Sequence, residues 1–511
     1  MADKKVFITG VIAIFLLVND AVWAGEESIP KEIYAMESCS VLEDCNGFRI
    51  AGLARKGEAM TVLRPSSGVV SDTTGAGFYE VRTADGAEGY VDAKYITYDR
   101  ELAQKRYLPE RYDSLHRKAL DRFNAGSALG CDFFPHEKPR FEDNVMPQSC
   151  YCLYITASKV SLEKIDEYIA LARDTKINSF IIDIKEDGVP GFKAEAMKTY
   201  CPSAYKAAGN NLELYRQAVR KIHEAGFWAV GRIVTFKDYH LTKDHPDYSI
   251  VHKGTGEMLY HNKSHWPSAY CRPVWEYNVA LACEAVETIG FNEINFDYVR
   301  FPDRMRSIED SIDLRNSYSE TKVQAIQRFV SYAADQLHKR HAYISVDVFG
   351  EVANPGYTTP YGQYWPAISN VADVICGMPY PDHFSNGYYG INKPWNHPYE
   401  LLRAWGRRVT DRQNETPSPA IVRTWVQCYH VMRFVDSNGI AYDAENIEKE
   451  IRALFDAGLT GGYATWLASG NLDRYREKAD AFRIDYLNDW IFRNKNTGNE
   501  EKLDPGPGAD Y

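Results

Sequence analysis

The chain has 511 residues, of which 45% are hydrophobic and 25% are charged, and its formal net charge at pH 7 is −11. This length is too great for one ordinary domain and predicts two or three, and the composition is typical of a globular protein. The negative charge argues against nucleic acid or an anionic membrane surface as a partner.

The first 24 residues have the pattern of a secretory signal peptide. Lys4 and Lys5 precede the apolar run VFITGVIAIFLLV, and the segment ends in AVWA just before Gly25. The apolar run is too short to cross a membrane comfortably, so we expect no integral membrane segment after cleavage. The sequence therefore predicts a secreted or periplasmic protein of the cell envelope.

Export matters for the ten cysteines, because disulfides persist outside the cytosol. Cys39 and Cys45 are close enough in sequence to pair, as are Cys150 and Cys152. The alternative is that these residues are free, buried thiols, and sequence alone does not assign the connectivity. The spacings differ from those of zinc ribbons.

Residues 35–98 differ in pattern from the rest of the chain. Short alternating runs such as KGEAMTVL, GFYEVRT and AEGYVDAKYI are separated by Gly and polar turns, which is typical of a small all-β barrel. The order of these runs resembles the bacterial SH3-like domain, whose members bind cell-wall peptides or act as spacers. Residues 99–148 begin with a polar helical stretch, become Pro-rich and are interpreted as a connector. The final segment, 491–511, has little to bury and is predicted to be disordered.

Residues 149–490 alternate between apolar strands and long amphipathic helices. Three helix-to-strand junctions contain a glycine, Gly226, Gly290 or Gly458, that would take the left-handed position at the helix end. The pattern predicts a (β/α)8 TIM barrel. The alternative, an open doubly wound sheet, lacks a Gly-rich phosphate loop after the first strand. The eight candidate strands are YCLYITA, SFIIDIK, FWAVGRIVTF, EINFDYVRF, YISVDVFG, VICGMPY, AIVRTWVQC and GGYATWLA.

Charged and aromatic residues collect at the carboxyl ends of these strands, where barrel active sites lie. Asp297 interrupts the apolar fourth strand, and burying an ionised carboxylate is costly unless it is paired. We therefore expect Asp297 to lie in a polar pocket near Arg300 or Arg232. The other candidates at this rim are Asp183, Lys185, Asp238, Asp347, Glu351, Tyr380, Trp425, Gln427 and Trp466.

Each candidate has a structural alternative. For Asp183 and Asp238 the sequence favours a structural role as hydrogen-bond acceptors, whereas for Asp297 and Asp347 it favours a functional one. Trp425 and Trp466 either pack the barrel or stack on a sugar ring, which has an apolar face and a polar edge. No metal-binding histidine motif, nucleophile elbow or P-loop occurs, so the sequence predicts neither a metal nor a cofactor. Paired carboxylates remain, and these are the usual catalytic groups of glycoside hydrolysis.

The segment FDYVRFP, residues 296–302, resembles the hallmark of an uncharacterised bacterial family of glycoside-hydrolase barrels. The similarity continues through SFIIDIKEDG, GRIVTFKD, ISVDVFG, GMPYP and GGYATW. The resemblance implies a distant relation to the alpha-amylase and alpha-galactosidase superfamily, in which the aspartate of the fourth strand is the nucleophile. That role would fall to Asp297, with Asp347 as acid/base and Glu351 as the alternative.

The sequence therefore predicts an exported glycoside hydrolase that acts on a cell-envelope or environmental polysaccharide. Asp297 and Asp347 end consecutive strands, which lie about 4.8 Å apart. We expect their carboxyl groups to approach to roughly 5–6 Å, a separation that favours retention of configuration. The rival hypotheses are an inactive carbohydrate-binding barrel that serves as a receptor or scaffold, and a purely structural envelope protein.

Overall fold

The computed structural model describes residues 32–63, 70–72, 76–105, 126–354 and 358–497. The predicted signal peptide lies outside the described residues. So does most of the predicted polar helical stretch of the connector, and so do residues 498–511 of the predicted tail.

The N-terminal segment is all-β, as predicted. Its strands form one antiparallel sheet in the order β3-β2-β7-β6-β4-β1-β8, with β5 paired to β6. Apolar side chains such as Ile33, Val41, Met60 and Val81 form its own small core. The relation to SH3-like domains stays a prediction. The strands are β1 (Glu32–Ala35), β2 (Cys39–Leu42), β3 (Ile50–Ala54), β4 (Ala59–Val62), β5 (Val70–Ser71), β6 (Gly77–Arg82), β7 (Glu88–Asp92) and β8 (Ile96–Thr97).

This all-β segment packs against the flank of the larger domain. The Ile50 N–H donates to Glu276 Oε1 at 2.9 Å, and the Lys339 ammonium donates to the Cys45 carbonyl at 2.9 Å. The hydroxyl of Tyr332 donates to the Phe48 carbonyl at 2.5 Å. These three contacts fall on or next to barrel helices, and Arg55 also donates to the Tyr318 carbonyl at 3.2 Å, in the loop that follows the fourth barrel strand. Helix α1 (Arg100–Gln104) follows, and residues 126–148 contain only an isolated bridge between Phe141 and Asn144.

The second domain is a closed barrel of eight parallel strands, which confirms the predicted fold class. Each strand pairs with the next, and the last pairs with the first; the seventh is split at Arg423 into two segments. The ring closes where Gly462, at φ 104°, passes the first strand so closely that a Cβ would lie 2.0 Å from the Cys150 carbonyl oxygen. The strands are β9 (Cys150–Ile155), β10 (Ser179–Glu186), β12 (Trp228–Val234), β16 (Glu293–Asp297), β18 (Tyr343–Phe349), β19 (Val374–Met378), β20 (Ile421–Val422) with β21 (Thr424–Gln427), and β22 (Gly462–Trp466).

Helices cover the outside of the barrel, and short strands occur in its loops. Gly226, Gly290 and Gly458 take φ values of 81°, 96° and 84°, which confirms the predicted left-handed positions at helix ends. The loop strands are β11 (Val189–Pro190), β13 (Val251–His252), β14 (Tyr260–His261), β15 (Ser264–His265) and β17 (Ile312–Asp313). The helices are α2 (Lys159–Glu163), α3 (Ile165–Arg173), α4 (Glu195–Tyr200), α5 (Pro202–Ala207), α6 (Leu212–Glu224), α7 (Tyr239–Asp244), α8 (Arg272–Ile289), α9 (Lys322–His338), α10 (Trp365–Val371), α11 (Pro398–Glu415), α12 (Ala444–Asp456), α13 (Leu472–Glu477) and α14 (Tyr486–Thr497).

The strands are apolar on both faces because the barrel has two cores. Outward side chains such as Ile182, Phe296 and Val346 pack under the helices, whereas inward ones such as Cys152, Val230 and Trp425 fill the barrel. Side chains alternate along each strand, so polar residues at inward positions near the carboxyl ends meet inside one rim. This alternation brings the candidate site together.

Helix α14 runs to Thr497, so the prediction of a disordered tail from residue 491 is wrong for 491–497. Apolar Trp490 and Ile491 pack against the barrel core there and support the helix. All ten cysteines are unpaired and nine of them are buried, so of the two alternatives the structure has the free thiols, and neither Cys39–Cys45 nor Cys150–Cys152 is bridged. Within the part of the chain that the structure describes, no helix has the length and apolarity that a membrane crossing requires.

Candidate active site

Arg232 is the centre of a buried charged cluster at the carboxyl end of the barrel. It lies on β12, is 2% exposed and binds carboxylates on two sides. One terminal nitrogen donates to Asp183 Oδ1 at 2.6 Å and to Glu186 Oε2 at 2.7 Å. The other donates to Asp297 Oδ2 at 2.6 Å. Burial alone would lower the pKa of Arg232, but the charges of these carboxylates raise it well above its usual value.

Asp297 is the last residue of β16, and the backbone turns immediately after it. Tyr298 has a φ of 53°, an uncommon conformation for an aromatic residue. The turn brings the Tyr298 N–H to Asp297 Oδ1 at 2.6 Å. Asp297 therefore has one oxygen held by Arg232 and the other by its own backbone. Of the two predicted partners Arg232 is the one that compensates this carboxylate, whereas Arg300 lies 3.3 Å from Asp303 instead.

Asp347 lies on the neighbouring strand, beside Asp297 in register. Phe296 pairs with Val346, so the next residue on each strand is one of the two aspartates. Asp347 Oδ1 accepts from Asn295 Nδ2 at 2.9 Å and from Trp425 Nε1 at 2.7 Å. Its Oδ2 has no hydrogen-bond partner and lies 4.0 Å from Arg232 Nε.

The protonation of Asp347 follows from this environment. The residue is 1% exposed. Burial first, and then the negative charge of Asp297, raise the pKa of Asp347 well above its ordinary value, although Arg232 acts in the opposite direction. A carboxyl group whose pKa is raised in this way is suited to act as a proton donor. Asp297 is therefore held in an ion pair, whereas the surroundings of Asp347 favour its neutral form.

Aromatic rings line the cluster on one side. The guanidinium carbon of Arg232 lies 5.4 Å from the Trp466 ring centroid and 5.9 Å from that of Tyr154. Trp425 and Trp466 meet edge to face at 5.6 Å. Trp425 is fully buried and bonded to Asp347, whereas Trp466 is only half-buried. Trp425 thus supports the carboxyl group, whereas Trp466 is partly exposed to solvent.

Asp183 is a member of the cluster through two contacts. It accepts from Arg232 and from the hydroxyl of Tyr154. Burial raises the pKa of Asp183 to about 6, with the charge of Arg232 opposing the shift. Glu186, whose side chain is 48% exposed, reaches Arg232 from the solvent side and marks the mouth of the site.

Several predicted residues lie elsewhere. Lys185 and Asp238 form a separate, fully buried ion pair at 2.7 Å, and Lys185 also donates to Asn278 on α8. Glu351 is exposed and accepts from the Tyr361 hydroxyl at 2.5 Å. Within the described residues, no hydrogen bond or ion pair joins any of these three side chains to Arg232.

Tyr380 and Gln427 belong to a second rim cluster, around Asp382. The Asp382 N–H donates to Gln427 Oε1 at 3.3 Å, and the Tyr429 hydroxyl donates to Asp382 Oδ1 at 2.8 Å. The Tyr380 ring packs at 6.2 Å from that of Tyr429. Burial raises the pKa of Tyr380 well above its usual value, and the charges of Tyr429, Asp347 and Asp297 add to the shift.

Tyr154, Glu186 and Asn295 were missed by the sequence reasoning. Two of them had a usable signal, since inward side chains recur every second residue. Asn295 precedes Asp297 by two residues, and Tyr154 follows the inward Cys152 by two. Among the described residues, no group of three or more His, Cys, Asp or Glu side chains has an arrangement that would hold a metal ion.

Comparison with solved structures gives distant likenesses. A hypothetical protein from Ruminiclostridium thermocellum is 30% identical over 38% of this chain and 97% of its own, with a TM-score of 0.33. The PgaB (BpsB) glycoside hydrolase domain from Bordetella bronchiseptica is 11% identical over 66% of this chain and 98% of its own, with a TM-score of 0.46. A GH18 chitinase from Pseudoalteromonas aurantia is 12% identical over 66% and 100%, with a TM-score of 0.37.

Comparison with curated proteins gives no match. A family model, in contrast, matches residues 152–472, which span all eight barrel strands except the first two residues of β9 and include every member of the Arg232 cluster. The chain belongs to the family described as "Putative glycosyl hydrolase domain", and its barrel is a glycoside-hydrolase barrel.

Proposed function

We propose that this glycoside hydrolase retains the configuration of its sugar, with Asp297 as nucleophile and Asp347 as acid/base. The observation that carries the proposal is that two neighbouring carboxyl groups have different environments. Asp297 is bound by Arg232 and the Tyr298 N–H, whereas burial and the charge of Asp297 raise the pKa of Asp347. A pair of neighbouring carboxyl groups, one held in an ion pair and the other with a raised pKa, is the equipment of a glycosidase.

The reaction follows from these roles. Protonated Asp347 gives its proton to the glycosidic oxygen while Asp297 attacks the anomeric carbon, so the leaving sugar departs as an alcohol. The glycosyl group is then bound to Asp297 as an ester. Asp347, now ionised, takes a proton from water, which attacks the same carbon and releases Asp297. Two displacements at one carbon give net retention.

Arg232 has a positioning role in this scheme. Its guanidinium fixes Asp297 Oδ2 and anchors Asp183 on the opposite side. When Asp297 becomes an ester it loses its charge, while Arg232 keeps its ion pairs with Asp183 and Glu186. The buried guanidinium therefore stays paired in both states of the nucleophile.

Export and a cell-envelope or environmental polysaccharide complete the proposal. Export rests on the signal-peptide pattern. The choice of polysaccharide rests on the all-β segment, whose resemblance to SH3-like domains suggests that it binds cell-wall material. Since this segment packs on α8 and α9 at the flank of the barrel, it would hold the barrel beside such material without contacting the Arg232 cluster.

One observation favours the rival function, a carbohydrate-binding barrel without turnover. Asp347 is 1% exposed and its free oxygen is enclosed. An acid in that position reaches a glycosidic oxygen only if the side chains above it move when a sugar enters. A barrel in which they do not move would bind glycans and leave them intact.

The deciding experiment compares the wild-type chain with Asp297→Asn on a panel of aryl glycosides and polysaccharides. The wild-type protein should hydrolyse at least one substrate, and turnover by Asp297→Asn should fall by roughly 10³-fold or more, as loss of a nucleophile does. Asp480→Asn is the matched control, since its side chain is 87% exposed and lies outside the cluster. Near-normal turnover by Asp297→Asn would make Asp297 structural, and glycan binding without any turnover would establish the rival function.

A further inference from the structure

An exposed group of aromatic rings lies in the loop that follows β12. Barrel loops at the carboxyl ends of strands surround the active site, so the β14–β15 hairpin in this connection belongs to the same face as Asp297. Trp266, just after the hairpin, packs at 5.9 Å from the ring of Tyr298, the residue next to Asp297. Its indole N–H donates to the His261 carbonyl at 2.9 Å and fastens the hairpin.

The turn geometry and the ring contacts of the hairpin hold its side chains in place. Asn262 and Lys263 form its turn with φ values of 50° and 63°, the conformation of a two-residue turn whose twist matches that of the strands. Tyr260 lies opposite His265 in register, and their rings meet at 5.3 Å. His265 Nδ1 is 3.1 Å from the Leu259 carbonyl, which fixes the orientation of its ring.

Tyr239, at the start of α7, extends the group. Its ring stacks on His265 at 6.0 Å with an angle of 26° between the planes. Tyr239, His265 and Tyr260 therefore form a row of three rings, which we call the aromatic row. Tyr260 is 64% exposed and Tyr239 is 45% exposed, although large aromatic side chains normally bury most of their surface.

The exposed aromatic row is suited to bind a ligand that has flat apolar faces and polar edges. Sugar rings have this character, and stacking on fixed aromatic rings removes apolar surface from water while the hydroxyl groups stay hydrated. We propose that the aromatic row is a distal subsite that binds sugar units of a polysaccharide chain whose cleaved bond lies at Asp297. This inference rests on the proposed function and adds to it a substrate class: polymers long enough to span both places, in preference to short glycosides.

The experiment separates binding from chemistry. The full chain carrying Tyr260→Ala, Tyr239→Ala or both is run by affinity electrophoresis through gels that contain glycol chitin, soluble starch, hydroxyethyl cellulose or xylan. Turnover of p-nitrophenyl glycosides, which occupy only the site at Asp297, is measured in parallel. Phe492→Ala is the matched control, because Phe492 is 68% exposed on α14, outside the barrel loops.

We expect the wild-type protein and Phe492→Ala to be retarded by the same polysaccharide. The double variant should lose about tenfold in affinity, the effect of removing a central aromatic contact, with turnover of the aryl glycoside unchanged. Equal retardation of all variants, or no retardation in any gel, would overturn the subsite while turnover still reports on the proposed function. A wild-type dimer that the double variant abolishes would also overturn it, because the aromatic row would then be an interface between copies.

Discussion

Replacing Asp347 by asparagine should change how the free energy of unfolding depends on pH. In the unfolded chain an aspartate loses its proton near pH 3.9. In the folded protein, burial and the charge of Asp297 raise the pKa of Asp347 well above that value. Between about pH 4 and that raised pKa the folded state therefore keeps a proton that the unfolded state loses, and the contribution of Asp347 to stability falls as the pH rises.

The size of the effect follows from linkage. One proton of difference changes the free energy of unfolding by about 1.4 kcal/mol per pH unit. The asparagine that replaces Asp347 does not titrate, so this contribution disappears from the variant. The amide oxygen still accepts from Asn295 and Trp425, whereas the amide nitrogen points to Arg232 Nε, which lies 4.0 Å from the carboxylate oxygen it replaces. That donor-to-donor contact adds an offset that does not depend on pH.

The assay is urea denaturation of the wild-type protein and Asp347→Asn at pH 4.5, 5.0, 5.5 and 6.0. The stability of the variant minus that of the wild type should increase by up to about 0.7 kcal/mol at each step. Asp480→Asn, at a side chain that is 87% exposed, is the control for an aspartate-to-asparagine change outside the cluster. A difference that is constant or decreases with pH would mean that Asp347 is ionised in the folded protein, and its role as proton donor would then be untenable.

Four other outcomes are expected. Arg232→Met should lower the free energy of unfolding by about 3–5 kcal/mol, because it leaves Asp183 and Asp297 buried without their partner; a loss below about 1 kcal/mol in denaturation experiments would contradict that account. The first product anomer, observed by proton NMR, should have the configuration of the substrate, and an inverted anomer would remove the covalent role of Asp297. Turnover should survive exhaustive dialysis against EDTA, and recovery that requires added Zn²⁺ or Ca²⁺ would contradict the metal-free scheme. N-terminal sequencing of the protein from the culture fluid or periplasm should begin near Gly25, whereas an intact Met1 in the cytosol would refute export.

The barrel was predictable because its signals are local. Eight apolar runs of strand length, each followed by a helical pattern, are enough to define the order of elements, and helix-terminal glycines such as Gly290 mark where strands begin. The charge on Asp297 was also informative, since a carboxylate in an apolar strand requires a partner. Arg232 was one of only two candidates for that role, and it is the partner.

The position of the Lys185 side chain was not predictable from the alternation of side chains along a strand. Asp183 and Lys185 are two residues apart on β10, so alternation predicts that both point into the barrel. The register between β10 and β12 shifts between these residues. Past the shift, Lys185 pairs with Asp238 and with Asn278 on α8, whereas Asp183 binds Arg232 inside the barrel. A bulge of this kind depends on the neighbouring strand and leaves no local pattern in the sequence.

The distribution of unsatisfied polar atoms bears on the choice between hydrolase and binding protein. Arg232 Nε, Asn295 Oδ1 and Asp347 Oδ2 are all buried without a hydrogen-bond partner, and the hydrogen bonds of Asp347 and its 4.0 Å approach to Arg232 place them in one cluster. Each such atom costs about 1–3 kcal/mol relative to a satisfied one. A barrel that only bound sugars would gain nothing from the unpaired Oδ2 of Asp347, which lowers stability. A hydrolase has a reason to keep it, because an oxygen that already has partners is a poor proton donor and acceptor. Other such atoms, for example Arg423 Nε and the Tyr463 hydroxyl oxygen, lie elsewhere in the barrel, but these three adjoin a pair of carboxyl groups and therefore favour catalysis, since proteins depart from full hydrogen bonding mainly at functional sites.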